Sequence, residues 1–435
     1  MYNRRVQPSQ AKPGPSAQWI LLALLVASVF INYIDRGNLS VSATNIVREL
    51  GLTKTQMGLL LSSFFWTYSI CQLLSGWLVG RFNVHVVFAL GFLVWSLATA
   101  ATGLATAFLP LLMFRLVLGL GESVAYPAFS KILASDYEES QRGKANAFID
   151  AGSKMGPALG TLLGGLIVAS WGWRALFLIL GIGALAWLPF WLKWAPHGHK
   201  ANSPETAPRF VPSAWRLLRN RSVWGSFFGL FAINYAWYFM ITWFPFYLEN
   251  ERHFSKEKMS ILGSLPFVML AISASLTGIV SDRLIAGGRT PTKVRKGFIV
   301  TGLVCQTLLL PAGMASSDIV SMGLFLLACF LFGFTTANHW AVTQTIAGPA
   351  CAGKWTGMQN AFGNLAGVAA PWFTGYIVEH TRSFYLAFVA VAVMVVAGAF
   401  SYAFVIGRVE PEDWGAAAGA SALSPARSGA GRLPG

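Results

Sequence analysis

Long apolar runs separated by short polar segments recur along the whole chain. Each run is about 20 residues long, the length that an α-helix needs to cross a bilayer. The runs cover 18–40, 56–79, 86–105, 107–133, 144–170, 174–194, 223–248, 259–282, 294–316, 318–347, 354–378 and 382–407. The pattern predicts an all-α membrane protein with about 12 transmembrane helices.

The widest break between these runs divides the helices into two equal sets. It lies at 195–222 and is rich in proline and basic residues. We therefore predict a cytoplasmic N-terminal segment (1–17), an N-terminal six-helix bundle (18–194), a cytoplasmic central loop (195–222), a C-terminal six-helix bundle (223–408) and a disordered cytoplasmic tail (409–435).

The two sets of helices resemble one another in sequence. "FINY" at 30–33 recurs 202 residues later as "AINY". Together with other matches at similar offsets, this indicates a duplicated unit, so the bundles should be pseudo-symmetric with a binding site between them. At this offset Asp35 and Arg36 correspond to Trp237 and Tyr238. The charges therefore exist in the first half alone.

Composition and charge support a membrane protein. The chain is 55% hydrophobic and 11% charged, whereas soluble domains have about 25% charged residues. Most of the 32 Lys and Arg residues lie in the two terminal segments and in the loops that follow the second, fourth, sixth, eighth and tenth apolar runs. This asymmetry predicts that both termini are cytoplasmic. The net charge of +15 is then a topology signal, and we expect no nucleic-acid partner.

The sequence lacks the motifs of enzyme or metal chemistry. Its four cysteines have no CxxC spacing, which argues against a disulfide framework or a metal site. It contains no phosphate-binding glycine loop, metal-ligand cluster or nucleophile–base arrangement. We therefore expect neither an enzyme, a bound metal nor a cofactor.

A few charged residues lie more than two residues from either end of an apolar run, and all of them are in the first, fourth and fifth predicted helices. They are Asp35, Arg36, Arg115, Glu122, Asp150 and Lys154. Each charge costs about 2.5–3.5 kcal/mol at the centre of a membrane helix. Such residues are expected to face a cavity or one another, and their default interpretation is functional.

The spacing of these charges suggests a coupling device. Arg115 and Glu122 lie about two turns apart on one helix face, about 10 Å along the axis. At that separation and an effective dielectric near 20 they interact by roughly 1.6 kcal/mol. An anion that neutralises Arg115 would favour protonation of Glu122, the linkage that a symporter needs. Asp150 and Lys154 form an i,i+4 pair; the spacing favours a structural pair, and a functional role stays open.

Amide, phenol and indole side chains also collect in the apolar helices. The predicted substrate-binding set includes Asn32, Tyr33, Tyr68, His339, Trp340 and Asn360. A hydrogen bond between helices explains any single one of them. As a set they suit a hydroxyl-bearing solute, because amides and phenols pair with hydroxyls and an indole face packs on a carbon skeleton. His339 is either a second titrating group or a satisfied neutral imidazole.

Three motifs resemble those of one known family. They are "NYIDRGNLSV" (32–41), "FRLVLGLGESVAYPA" (114–128) and "WGWRALF" (171–177). With these motifs the chain resembles the anion:cation symporter branch of the major facilitator superfamily. That branch includes bacterial permeases for hexuronates, galactonate, glucarate and phthalate.

The resemblance implies roles for individual residues. Asp35 and Glu122 would take up protons, and Arg36 and Arg115 would meet the substrate carboxylate. Substrate-binding positions of such members match Tyr68, Ser153 (in place of a glutamine), Trp340 and Asn360. The unusual Lys154 follows Ser153, which leaves the identity of the anion open.

Together with this resemblance, the observations favour a monomeric, proton-coupled symporter of a bacterial inner membrane that imports a small organic anion by alternating access. The favoured substrate is a sugar acid, that is, a hexonate, hexuronate or aldarate. The alternative is a sodium-coupled carrier, or an exporter, of another carboxylate such as an aromatic acid or a dicarboxylate. A non-transporting receptor would need a folded output domain, for which the central loop and tail are too short.

Overall fold

The computed structural model of the protein describes residues 15–137, 139–195, 213–412 and 414. The predicted N-terminal segment, central loop and tail fall largely outside the described residues. The helices are α1 Pro15–Leu50, α2 Lys54–Arg81, α3 Val84–Thr102, α4 Phe108–Glu122, α5 Ala125–Asp136, α6 Glu139–Leu185, α7 Trp187–Trp194, α8 Ala214–Leu218, α9 Arg221–Asn250, α10 Lys256–Ala286, α11 Pro291–Val304, α12 Leu309–Met314, α13 Asp318–Thr381 and α14 Phe384–Phe400, with a 3₁₀ turn at Cys305–Leu308 and a π-helical turn at Ser401–Val405. Across the described ranges all regular structure is helical, so the predicted all-α class is confirmed.

The helices account for the predicted spans once two breaks are recognised. Among the described residues, nine helices are long and apolar enough to cross a membrane, or ten if the bent stretch Lys54–Arg81 is one span. Gly172 in α6 has φ 80° and Gly348 in α13 has φ 64°. A positive φ ends a right-handed helix, and glycine adopts it without steric cost. Divided at these glycines, the long helices cover the twelve apolar runs of the sequence. Three runs contain two helices each: α4 with α5, the end of α6 with α7, and α11 with α12.

Polar side chains cap several helices at their first turns. Thr53 Oγ1 accepts a hydrogen bond from the Gln56 N–H at 3.0 Å, and Gln56 Oε1 accepts one from the Thr53 N–H at 2.9 Å. This reciprocal pair is a capping box. Asn83 and Ser255 accept hydrogen bonds from the first turns of α3 and α10 in the same way. The caps pair backbone donors that the start of a helix leaves open, so they fix where spans begin.

Helix α3 shows how a mostly apolar span divides its faces. Phe88 and Trp95 are completely buried, whereas Leu90 and Leu97 are 57% and 50% exposed. A helix that is apolar on its buried and its exposed face alike is typical of a membrane span. The large aromatic side chains fill the interior and the leucines face outward, where lipid would cover them.

We divide the helices at the central loop into two sets, α1–α7 and α8–α14. In the first set α6 packs along α1 and α3, and α4 packs along α2 and α3. In the second, α13 packs along α9, α10 and α11. The sets meet where α1 contacts α9, α2 contacts α13 and α6 contacts α10. At the first of these crossings Ser40 Oγ donates to the Thr242 carbonyl oxygen at 2.5 Å, so residues at equivalent positions of the repeat touch.

The alternation of the spans gives the molecule two faces. We call the side where α1 begins and α14 ends the terminus face, and the other side the opposite face. Hydrogen bonds join the two halves at the opposite face. Asn250 Nδ2 donates to Thr44 Oγ1 at 2.9 Å, and the Lys54 N–H donates to Glu379 Oε2 at 2.7 Å. The halves are therefore closed against each other on that side.

Candidate functional site

The adjacent charges of α1 point in different directions and have different partners. Arg36 Nε donates to Glu122 Oε2 of α4 at 3.0 Å, and both side chains are buried. Asp35 Oδ1 accepts from Asn38 Nδ2, one turn along α1, at 3.1 Å. Successive residues of a helix are about 100° apart, so one charge can enter the first set of helices while the other faces the boundary between the sets.

Aromatic rings surround the Arg36 guanidinium. The ring centres of Tyr33, Phe64 and Tyr68 lie 4.7, 5.0 and 4.6 Å from its central carbon. The central carbon of the Arg115 guanidinium lies 5.3 Å from the centre of the Phe64 ring. Ring faces attract cations while excluding water. The rings therefore keep two arginines charged in a site with little solvent.

Close packing of α4 brings its charged residues to this point. A side chain at Gly119 would collide with the Phe64 carbonyl oxygen of α2, and one at Gly121 would lie 2.8 Å from the Trp95 backbone nitrogen of α3. Small residues allow membrane helices to approach this closely. These two glycines therefore allow α2 and α3 to approach α4, and Arg115 and Glu122 consequently lie against α2 and α1.

Several charged atoms of the cluster have unused hydrogen-bonding capacity. Among the described residues, Arg36 Nη2, Arg115 Nε and Nη1, Asp35 Oδ2 and Glu122 Oε1 have no hydrogen-bond partner. Buried polar groups are normally paired. Unused guanidinium donors beside unused carboxylate oxygens form a site that can take an anion and a proton together.

A narrow cavity lies beside the two arginines, at the boundary between the two sets of helices. Its lining residues are Tyr33, Arg36, Leu61, Phe64, Phe65, Arg115, Trp237, Tyr238, Ile241 and Thr242. On the side of α9, Tyr238 Oη donates to Asn364 Oδ1 of α13 at 2.9 Å, and its ring centre lies 4.4 Å from that of Phe65. The first half contributes both cations to the lining, and the second half contributes the indole of Trp237 and the phenol of Tyr238.

Residues 25–371 match the sequence profile of the Major Facilitator Superfamily. The chain belongs to that superfamily. It is a multi-pass membrane transporter and not an enzyme. The family prediction from the three motifs is confirmed, and so is the predicted fold.

Individual relatives agree with the branch that the motifs indicate. The chain is 32% identical to the probable galactarate/D-glucarate transporter GudP of Bacillus subtilis (strain 168), over 91% of this chain and 93% of the relative. It is 29% identical to the D-galactonate transporter of Escherichia coli O6:H1, over 92% and 98%. A bacterial homologue of the human lysosomal transporter Spinster, solved in an inward-facing and unoccupied conformation, has the same fold, with a TM-score of 0.78, 18% identity and coverage of 91% and 98%.

Within this transporter fold, the predicted site residues fall into two groups. The first surrounds the Arg36–Glu122 ion pair and includes Tyr68 and Asn32. Asn32 is completely buried, and its side chain lies within hydrogen-bonding reach of the Glu122 carboxyl group. The Tyr33 hydroxyl lies 3.2 Å from the Tyr126 hydroxyl.

The second group lies nearer the terminus face. Ser153 Oγ donates to the Asp150 carbonyl oxygen at 2.7 Å, and the Nδ1 atom of His339 lies 3.0 Å from the Thr335 carbonyl oxygen. The Trp340 ring centre lies 4.6 Å from that of its neighbour His339. Over the described part of the chain, no hydrogen bond, ion pair or ring contact joins the predicted residues Ser153, His339, Trp340 and Asn360 to Arg36 or Arg115.

The structure also places residues at the cavity that the predicted site did not include. Trp237 and Tyr238 line it, and the repeat had already marked them as the equivalents of the charges in α1. Tyr126 follows Glu122 by about one helical turn, and this spacing could have identified it. The direct ion pair of Glu122 is made with Arg36 rather than with Arg115, because packing between helices decides it and spacing along one helix cannot.

Proposed function

We propose that this transporter is a proton-coupled symporter that imports a sugar acid. The observation that supports it best is the buried ion pair of Arg36 and Glu122 at the cavity between the two halves. The names of the two relatives, which include galactarate, D-glucarate and D-galactonate, favour a hydroxylated carboxylate. A carboxylate suits the unused guanidinium donors, and the hydroxyls suit the phenol of Tyr238 on the wall that the second half contributes.

Charge balance links the anion to the proton. Asp35, Arg36, Arg115 and Glu122 together carry no net charge when all four are ionised. A substrate carboxylate that binds the arginines adds one negative charge, and an uncompensated charge is costly in a dehydrated site. A proton on Glu122 restores neutrality and frees Arg36 Nε for the substrate. Each ligand therefore favours the other, and this reciprocity is what symport requires.

Asp35 is proposed as the second proton-coupling group. Its side chain is buried and lies within electrostatic range of both Glu122 and Arg115. One of its oxygens is held by Asn38, so the carboxyl group keeps its orientation whether or not it bears a proton. It can respond to the protonation of Glu122 without touching the substrate.

Alternating access follows from the closed opposite face. We infer that residues 18–194 and 223–408 move as two bundles around the cavity. The basic loops favour a cytoplasmic location for the terminus face and both chain ends, and we propose that the protein lies in the inner membrane of a bacterial cell. The structure then corresponds to the inward-facing state. All the proposed groups belong to one chain, which is consistent with a monomeric transporter.

Neutralising Glu122 tests the proposal. In proteoliposomes, Glu122→Gln should abolish substrate accumulation driven by a pH gradient while exchange of internal for external substrate continues. Glu49→Gln is a matched control, because Glu49 is half-exposed and pairs with Arg174 outside the cavity. Accumulation by Glu122→Gln at the wild-type level would refute proton coupling through this group. If the wild-type protein accumulates substrate only when a sodium gradient is imposed, proton coupling is refuted for the whole protein.

A further inference from the structure

A third cation inside the helices, Lys154, lies outside the cluster described above. Its Nζ atom is 2.5 Å from Asp150 Oδ1, one turn earlier in α6. The Lys154 side chain is 17% exposed and that of Asp150 is 67% exposed. The lysine is therefore largely sheltered within the protein, while its partner extends into the surroundings.

Lys154 lies on the face of α6 that meets the second half of the molecule. A side chain at Gly165 would collide with Ser260 of α10, and the Thr161 methyl group lies close to Gly263. Lys154 precedes Thr161 and Gly165 by about two and about three helical turns, so the three positions share one face. The part of this row nearer the opposite face packs against α10. Lys154 lies at the other end of the row, nearer the terminus face.

The wall across from Lys154 contains an unused polar atom. His339 of α13 interacts electrostatically with Lys154 and Asp150, although they belong to different halves. The imidazole is 5% exposed, and within the described residues its Nε2 atom has no hydrogen-bond partner. Trp340 stands beside it. A cation, an imidazole and an indole therefore flank the boundary between the halves at this level.

The packing of α6 on α1 gives the distance along the helix axis between Lys154 and Arg36. A side chain at Gly156 would meet Tyr33, and one at Gly160 would meet Ile34, so the two helices run parallel. Arg36 is thus level with a position just beyond Gly160. Lys154 lies about seven residues closer to the terminus face, or about 10 Å at 1.5 Å per residue.

That separation suits the length of a six-carbon dicarboxylate. Its carboxylates are joined by a chain of C–C bonds of about 1.5 Å each. A charge-assisted hydrogen bond of about 2.8 Å extends the reach at each end. With a flexible lysine at one end, a molecule of this class can contact both cations at once.

We propose that Lys154 binds the second carboxylate of the substrate and thereby makes the transporter selective for aldarates over aldonates. This inference rests on the proposed function, since Arg36 and Arg115 hold the first carboxylate. The pair with Asp150 must open for binding. It can do so because an ion pair with an exposed carboxylate is weak, and the Asp150 side chain can turn toward water. Lys154 then neutralises the added charge.

Two substrates that differ at one carbon test the proposal. Galactarate and D-galactonate have the same hydroxyl configuration, but galactarate has a carboxylate where D-galactonate has a hydroxymethyl group. In exchange assays, Lys154→Gln should raise the half-saturation concentration for galactarate about tenfold or more, the size of one charge-assisted hydrogen bond. For D-galactonate it should stay within about twofold, and Lys154→Arg should retain the preference.

Asp150→Asn provides the opposing variant. It removes the competitor for Lys154 and should lower the half-saturation concentration for galactarate. A purely structural pair would make both variants shift both substrates in the same direction, and that result would overturn the proposal. So would a wild-type protein that exchanges D-galactonate but not galactarate. If the wild-type protein exchanges neither substrate, that result would instead refute the sugar-acid function itself.

Discussion

The two halves of this transporter present opposite chemistry at equivalent positions. In α1 the sequence "INYIDR" ends on Asp35 and Arg36, and in α9 "INYAWY" ends on Trp237 and Tyr238. Arg36 and both aromatic residues line the same cavity. The duplicated helices thus bring equivalent residues together, and the different chemistry of these residues suits the two halves to different roles. The first half can hold the charges of substrate and proton, and the second supplies a surface for the carbon skeleton and its hydroxyls.

Keeping each ion pair within a single half has a physical advantage. The ion pairs Arg36–Glu122 and Arg174–Glu49 each lie within the first half, and Arg252–Asp318 lies within the second. Breaking a buried ion pair leaves an uncompensated charge and costs about 3–5 kcal/mol. The halves are instead joined by hydrogen bonds such as that of Ser40 with Thr242. They can separate during transport without breaking the ion pair at the site.

The largest expected effect comes from removing the central cation. Arg36→Gln should reduce both exchange and accumulation by about a hundredfold or more, since loss of one partner of a buried ion pair costs about 3–5 kcal/mol. Arg36→Lys keeps the charge but loses the planar fork and should recover part of the exchange. Substrate exchange in proteoliposomes measures both variants. Wild-type exchange by Arg36→Gln would contradict the division between a charged half and an aromatic half.

A smaller but more selective effect is expected from Asp35→Asn. The amide keeps the hydrogen bond with Asn38 but cannot take up a proton, so proton-driven accumulation should fail while exchange persists. The measurement is the comparison of substrate uptake with and without an imposed pH gradient. If the variant still accumulates substrate, Asp35 serves to orient its neighbours and Glu122 alone couples the proton.

A change at the interface tests whether the halves must close on each other. In Gly58→Ala the added methyl group would lie 2.7 Å from the Pro371 carbonyl oxygen across the boundary. Closure of the opposite face should weaken and transport should slow several-fold. Gly76→Ala in the same helix is the matched control, because a side chain there meets no atom within 4 Å. Equal rates for both variants would show that this contact does not limit the cycle.

The smallest effect is expected in the aromatic half. Tyr238→Phe removes the hydroxyl that donates to Asn364 Oδ1 but keeps the ring against Phe65. One neutral hydrogen bond contributes about 0.5–1.5 kcal/mol, so the half-saturation concentration should rise only a few-fold, with proton coupling intact. Loss of coupling in this variant would show that the second half takes part in proton handling.

Much of the fold could be predicted because its signals are local. Apolar runs of membrane-spanning length identify the helices, and Gly172 and Gly348 end two of them where a positive φ is required. The embedded charges are equally visible, since a charged residue is conspicuous in an apolar helix. The roles of Asp35, Glu122 and the two arginines remain predictions. The structure adds that Arg36 and Glu122 form an ion pair, and it leaves Trp340 and Asn360 without contact to the arginines among the described residues.

Sequence alone determined the class of the protein, its duplicated helices, its superfamily and the small set of charges inside its helices. These properties depend on residues near one another in the chain. Tertiary structure decided which charges pair, which rings enclose Arg36 and which residues of the second half complete the cavity. The Arg36–Glu122 pair spans 86 residues, and only the packing of α1 against α4 brings its atoms within 3.0 Å. A hydrogen bond depends on distances that no periodicity along the chain specifies.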